Sequence, residues 1–167
     1  MITANRIVIL FFVLAVTTTA AYSQTKAPAF TIEGEVTTPL TLTAEALARF
    51  KTTELRAKDH DGTERTYKGV NLATLLDSAG VTLGAKLRGK NLRKYILIKA
   101  ADAYEVIYSL PEVDPEFTNQ TILLAYLVDG KPLAKGDGPF RIVAPADKKH
   151  ARWIREVTTI KIVSSKE

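Results

Sequence analysis

The sequence predicts a mixed α/β domain of the α+β kind, with mostly antiparallel sheets and short peripheral helices. Three observations carry this expectation. Roughly eight segments either alternate apolar and polar residues or run apolar for about the length of a strand. Asp61-Gly62 and Asp129-Gly130 are hairpin turn signals between such segments. Hairpins of this kind outnumber strand–helix–strand units, which favours a mixed sheet over a parallel one.

Taken in order, "FTIEGEV" (30–36) alternates as a half-buried strand, and Pro39 interrupts the pattern. "TAEALARF" (43–50) reads as a short helix with Thr43 as its N-cap and Glu45 in its first turn. "TELRAK" (53–58) and "ERTYKGV" (64–70) are the arms of a hairpin around Asp61-Gly62. Leu72, Leu75, Leu76 and Ala79 fall on one helical face, and Gly80 is placed to end that helix. "YILIKA" (95–100) and "YEVIYSL" (104–110) form a second hairpin around Ala101-Asp102-Ala103. "PEVDPEF" is a loop or a helical turn, with Glu112 and Asp114 expected in a solvated acidic loop. "ILLAYLVDGKPL" (122–133) is an apolar run ending in a turn, and "FRIVA" (140–144) and "VTTIKIV" (157–163) are the last strands.

Residues 1–23 read as a signal peptide: Arg6, ten apolar residues from Ile7 to Val16, then a small-x-small ending at Ala21-Tyr22-Ser23. The apolar run is shorter than the roughly 20 residues a membrane span requires. Cleavage near Ser23 would leave a short leader (24–29) and a single domain over 30–164, delivered to the periplasm or secreted. No Arg-Arg pair precedes the apolar run, so the expected route carries the chain unfolded. The 167 residues contain no cysteine, which excludes a lipid-anchoring Cys and any internal disulfide.

Charge is distributed unevenly. Residues 86–94 hold five basic groups and no acid, and residues 141–155 hold five and one acid, Asp147. This predicts a basic face. The stretches are short and lack aromatic-rich strand motifs, so nucleic acid is not an expected partner.

Arg141 stands inside an apolar strand beside Phe140, Ile142 and Val143, where a buried guanidinium needs either a partner carboxylate or a bound anion. Arg141, Lys148, Lys149, His150 and Arg152 are therefore the candidates for an anion site, with Lys148, Lys149 and Arg152 alternatively read as solvated charges. Trp153 is expected in the core rather than as a stacking platform. His60 and His150 lie 90 residues apart in no zinc-binding pattern, and there is no Gly-x-Ser-x-Gly elbow or Walker loop.

"YKGVNLATLLDSAGV", "LRGKNLRKYILIKAADAYEVIYSLPEVDP", "LLAYLVDGKPL" and "GPFRIVAPADKKHARWIREVTTIKI" together resemble the sulfite-oxidase-like molybdopterin-binding domain, in particular its small exported single-domain members. The resemblance spans roughly residues 30–163. It implies that fold, and as cofactor the pyranopterin dithiolene of a molybdenum centre, with residues 141–153 bordering the pterin and its phosphate.

The resemblance also implies a cysteine ligand to the metal near Arg56–Lys58, where this chain has none. His60, Asp59 or Asp61 would then offer nitrogen or oxygen instead, unless Asp59-His60-Asp61-Gly62 is only a polar hairpin turn. The family pattern has Gly at position 103. Ala there predicts right-handed turn geometry, since a left-handed residue costs Ala about 1 kcal/mol or more.

Three functional readings follow. The first is an exported protein binding an anionic pterin-like ligand without a cysteine-ligated molybdenum. The second is a molybdopterin-dependent oxidoreductase with a non-cysteine metal ligand. The third is an interaction module for a redox or membrane partner.

Overall fold

The computed structural model describes residues 27–165. The signal-peptide expectation (1–23) and the first half of the leader (24–26) lie outside the described residues. Among those described, ten strands, two α-helices and several 3-10 turns build two five-stranded sheets.

In the first sheet the order is β2 (Leu40–Thr43), β1 (Ala29–Gly34), β10 (Val157–Ser164), β5 (Lys94–Ala100), β6 (Glu105–Ser109). β1 runs parallel to β10, and the other neighbours are antiparallel. In the second sheet β3 (Thr52–Lys58), β4 (Glu64–Asn71) and β7 (Leu123–Val128) are adjacent. β7 also pairs with both β8 (Lys131–Pro132) and β9 (Arg141–Val143). The mixed, mostly antiparallel expectation holds.

Strand periodicity places the core. On β5, Ile96, Ile98 and Ala100 are buried while Tyr95, Leu97 and Lys99 are half-exposed, the alternation a pleated strand imposes. β10 buries Val157, Ile160 and Ile162, with a bulge between Val157 and Thr159 that resets its phase. Side chains of both sheets and of the second helix join one buried cluster, and Phe30 of β1 meets Phe140 edge-on at 4.8 Å.

The helices are short. α1 (Ala44–Leu47) starts at Thr43, whose hydroxyl accepts from the Ala46 N–H. α2 (Leu72–Ser78) is capped by Asn71 and buries Leu72, Leu75 and Leu76; Gly80 follows at φ +72° and ends it. Gly69 is required for a different reason. It sits at the irregularity between β4 and β7, where any Cβ would run into the Leu124 backbone.

Two expectations need correction. Ala103 is left-handed, at φ 70°. The Ala103 N–H donates to the Ala100 carbonyl, the Ala100 N–H donates to the Tyr104 carbonyl, and the Asp102 side chain accepts from the Tyr104 N–H. A three-residue hairpin loop closes this way only with its last residue left-handed, so hairpin geometry overrides the local preference of Ala. The acidic loop is also not solvated. Asp114 is buried and accepts from the Gly84 and Glu116 N–H groups, while Glu112 caps Ser109 and pairs with Arg152. The two basic stretches lie at opposite ends of β5. Arg93 and Lys94 stand at the start of β5, whereas Ala101, just past its end, bonds Glu156. A seven-residue strand keeps its ends about 20 Å apart.

Candidate functional site

The hairpin between β3 and β4 brings one carboxylate inward. Asp59 closes the turn with its own backbone: its N–H donates to the Thr63 carbonyl and its carbonyl accepts from the Gly62 N–H, both at 2.8 Å. Its side chain points to β9. There Arg141, 1% exposed, presents Nη2 at 2.7 Å from Oδ1 and Nη1 at 3.2 Å from Oδ2. The buried arginine thus has its partner carboxylate within the chain.

Other groups close around the pair. The Tyr67 hydroxyl donates to Asp59 Oδ2 at 2.8 Å, and the His60 N–H donates to Oδ1 at 2.8 Å. The Arg141 guanidinium lies 5.5 Å from the Tyr67 ring and 5.6 Å from the Trp153 ring. Burial pushes the Asp59 pKa up, but bonds from Arg141, the His60 N–H and Tyr67 outweigh it and hold the carboxyl well below the usual range. Burial and the neighbouring Asp59 push the Tyr67 phenol up, so it stays protonated and donates.

Trp153 lies under the 145–152 loop. It is buried, its Nε1 donates to the Ala144 carbonyl at 2.9 Å, and the His150 ring meets it at 4.4 Å. His150 Nε2 lies 2.9 Å from the Lys58 carbonyl. A carbonyl only accepts, so Nε2 carries the proton. This contact ties the end of β3 to the 145–153 loop, two segments far apart in sequence.

Two cavities share His150 and Trp153 in their walls. One, of about 260 Å³, is lined by Ala57, Lys58, Pro145, Asp147, His150 and Trp153. The other, of about 330 Å³, has Tyr104, His150, Trp153, Ile154, Arg155 and Glu156 among its walls.

The candidates read from the sequence are thus dispersed. His150 lines both cavities. Lys148 and Lys149 are exposed on the loop beside them. Arg141 lines neither, being enclosed by Asp59. Arg152 is engaged elsewhere: Asp147 takes it two-pronged at 2.6 and 3.0 Å, Glu112 accepts at 2.8 Å, and its guanidinium covers the Tyr108 ring at 4.3 Å. Its bonds to Asp147 raise its pKa further.

Asp61 accepts from the Thr63 N–H and pairs with Arg65, the polar-turn role weighed for it. His60 is exposed, with Nδ1 3.1 Å from Asp59 Oδ1 and 3.4 Å from Arg155 Nη2. Among the described residues no group of three His, Asp or Glu side chains is placed to hold a metal.

Sequence reasoning missed Asp59 as the partner of Arg141, and Asp137. Asp137 Oδ1 lies 3.0 Å from Arg155 Nε and 3.7 Å from Arg141 Nη1. The only signal for Asp59 was the need of a buried arginine for a carboxylate.

A family model described as the oxidoreductase molybdopterin binding domain matches residues 18–167. Among solved structures, that of the sulfane dehydrogenase SoxCD from Paracoccus pantotrophus is similar, with a TM-score of 0.63 at 22% identity. The match covers 81% of this chain and 38% of that one, so this chain spans well under half of that neighbour's length. At this identity the likeness is one of fold. No curated protein matches the chain.

Proposed function

The chain belongs to the oxidoreductase molybdopterin-binding domain family, and on that premise we propose that it is an exported protein binding an anionic, pterin-like ligand without a cysteine-ligated molybdenum centre. The observation that carries this reading is the cavity where Ala57 and Lys58 meet Pro145, Asp147, His150 and Trp153. It lies where the family resemblance places both the metal's cysteine and the border of the pterin. Here the buried residue is Ala57, 7% exposed, and its methyl group adds an apolar wall.

The side chains fit an organic ring better than a metal. The indole of Trp153 and the imidazole of His150 give flat, partly apolar walls, Lys58 supplies positive charge in the lining, and Lys148 and Lys149 are exposed between the lining residues Asp147 and His150. A molybdenum ion of the family type calls for a thiolate, and the chain has no cysteine. Of the oxygen and nitrogen donors nearby, Asp147 is engaged by Arg152, His150 Nε2 by the Lys58 carbonyl and Asp61 by Thr63 and Arg65, while the exposed His60 is not among the residues lining the cavity. These residues do not fit the metal, and no redox step is assigned to them.

Export fits the same picture. Arg6 without an adjacent arginine, followed by a short apolar run, is the signature of a route that carries chains unfolded, and such a chain acquires its ligand after crossing. Among the described residues no helix is long and apolar enough to cross a membrane.

Trp153 is the chain's only tryptophan and stands at the cavity, so its emission reports binding. Titration with 6-carboxypterin, a planar pterin bearing one carboxylate, should quench it saturably. The affinity should fall in 0.5 M salt and in His150→Ala. Emission that stays unchanged up to millimolar probe contradicts the reading. N-terminal sequencing of the exported protein should begin near Gln24.

A further inference from the structure

Asp59 is surrounded by more donors than an ion pair needs. Its Oδ1 receives Arg141 Nη2 at 2.7 Å and the His60 N–H at 2.8 Å, with His60 Nδ1 at 3.1 Å. Its Oδ2 receives the Tyr67 hydroxyl at 2.8 Å and Arg141 Nη1 at 3.2 Å, with Arg65 Nε at 3.4 Å. The donors converge from the hairpin turn, from β4 and from β9. Charges around them balance: Arg141, Arg65 and Arg155 stand against Asp59, Asp61 and Asp137. Arg141 Nε is buried with no partner, so the guanidinium is not consumed by the wall behind it. A planar fork, a backbone N–H and a phenol aimed at one point are the donor set of an oxyanion receptor.

We infer that this cage is a binding site for one carboxylate-sized anion, and that the chain fills it with its own Asp59. Asp59 thereby withholds Arg141 from any ligand in the neighbouring cavities. Anionic groups of such a ligand are left to the exposed lysines, and Asp59 is the residue that sets this preference. The inference holds whichever ligand those cavities take, because it concerns only the groups that enclose Asp59.

The full chain carrying Asp59→Ala tests it, with sodium formate as the probe and sodium chloride at matched ionic strength as the control. Truncation opens a carboxylate-sized space facing four donor residues. Formate should raise the melting temperature of this variant saturably, on the order of 3–5 °C beyond chloride. The wild type should show no such difference, and Asp59→Ala/Arg141→Met should lose it. Equal effects of formate and chloride on Asp59→Ala, or an equal formate response in the wild type, would overturn the inference. If Asp59→Ala does not fold in chloride, the comparison is read as refolded yield. Formate is then expected to restore it, and failure to do so counts against the cage.

Discussion

Asp59 and Arg141 stand 82 residues apart in the chain and meet as a two-pronged ion pair, 2.7 and 3.2 Å, with both side chains almost fully buried. The pair fastens the β3–β4 hairpin turn to β9, and so positions Ala57 and Lys58 against the 145–153 loop. Removing one partner leaves the other charged and buried. Arg141→Met should therefore cost about 3–5 kcal/mol, and Asp59→Asn/Arg141→Met should recover part of that loss. Arg141→Lys should not rescue, because an ammonium cannot span both oxygens. Denaturant unfolding of the four proteins measures all three differences.

The same pair sets the acid limit of the fold. Its bonds depress the Asp59 pKa in the folded state, so the unfolded chain binds the proton more readily. The stabilisation is therefore complete above the unfolded carboxylate value, about pH 4, and is lost as pH falls below it toward the folded value. Wild-type stability should drop more steeply between pH 4 and pH 2 than that of Asp59→Asn/Arg141→Met. Parallel curves for the two proteins would show that other carboxylates govern acid unfolding.

Ala103 holds a left-handed conformation at φ 70° in the β5–β6 hairpin loop. Glycine adopts that conformation without the steric cost, though it also loosens the unfolded chain. Ala103→Gly should raise stability by up to about 1 kcal/mol, read as a higher denaturant midpoint at unchanged slope.

Arg152 is held by the fold on several sides. Its contacts run to Asp147, Glu112, the Ile107 carbonyl and the Tyr108 ring. The side chain is 34% exposed, so solvent screens these pairs and Arg152→Met should cost only about 1–2 kcal/mol. The Trp153 quench by 6-carboxypterin should stay within twofold of wild type. A tenfold loss of affinity would make Arg152 a ligand contact.

What could be read in advance follows a physical division. Local signals were legible: Thr43 as a cap, the Leu72–Leu76 face with Gly80 behind it, and the two hairpins each depend on residues within a few positions of one another. The parallel pairing of β1 with β10 was not, because it joins the two ends of the domain and leaves no short-range mark.

The site divides the same way. Arg141 announced its need for a negative partner by standing among apolar residues. Asp59 gave no matching sign, since an aspartate beside a Gly-containing turn reads as turn chemistry. Only the pairing of β7 with both β4 and β9 brings the turn and the arginine together. The contacts of Arg152 were illegible for a similar reason: its partners, Asp147 and Glu112, lie on segments whose meeting no local pattern encodes.

The central claim is that this family member keeps a ring-binding cavity while lacking the means to hold molybdenum. Metal analysis of the protein isolated from its native compartment tests it most directly. Molybdenum far below one atom per chain is expected. One molybdenum per chain, retained through gel filtration together with its pterin, would contradict it.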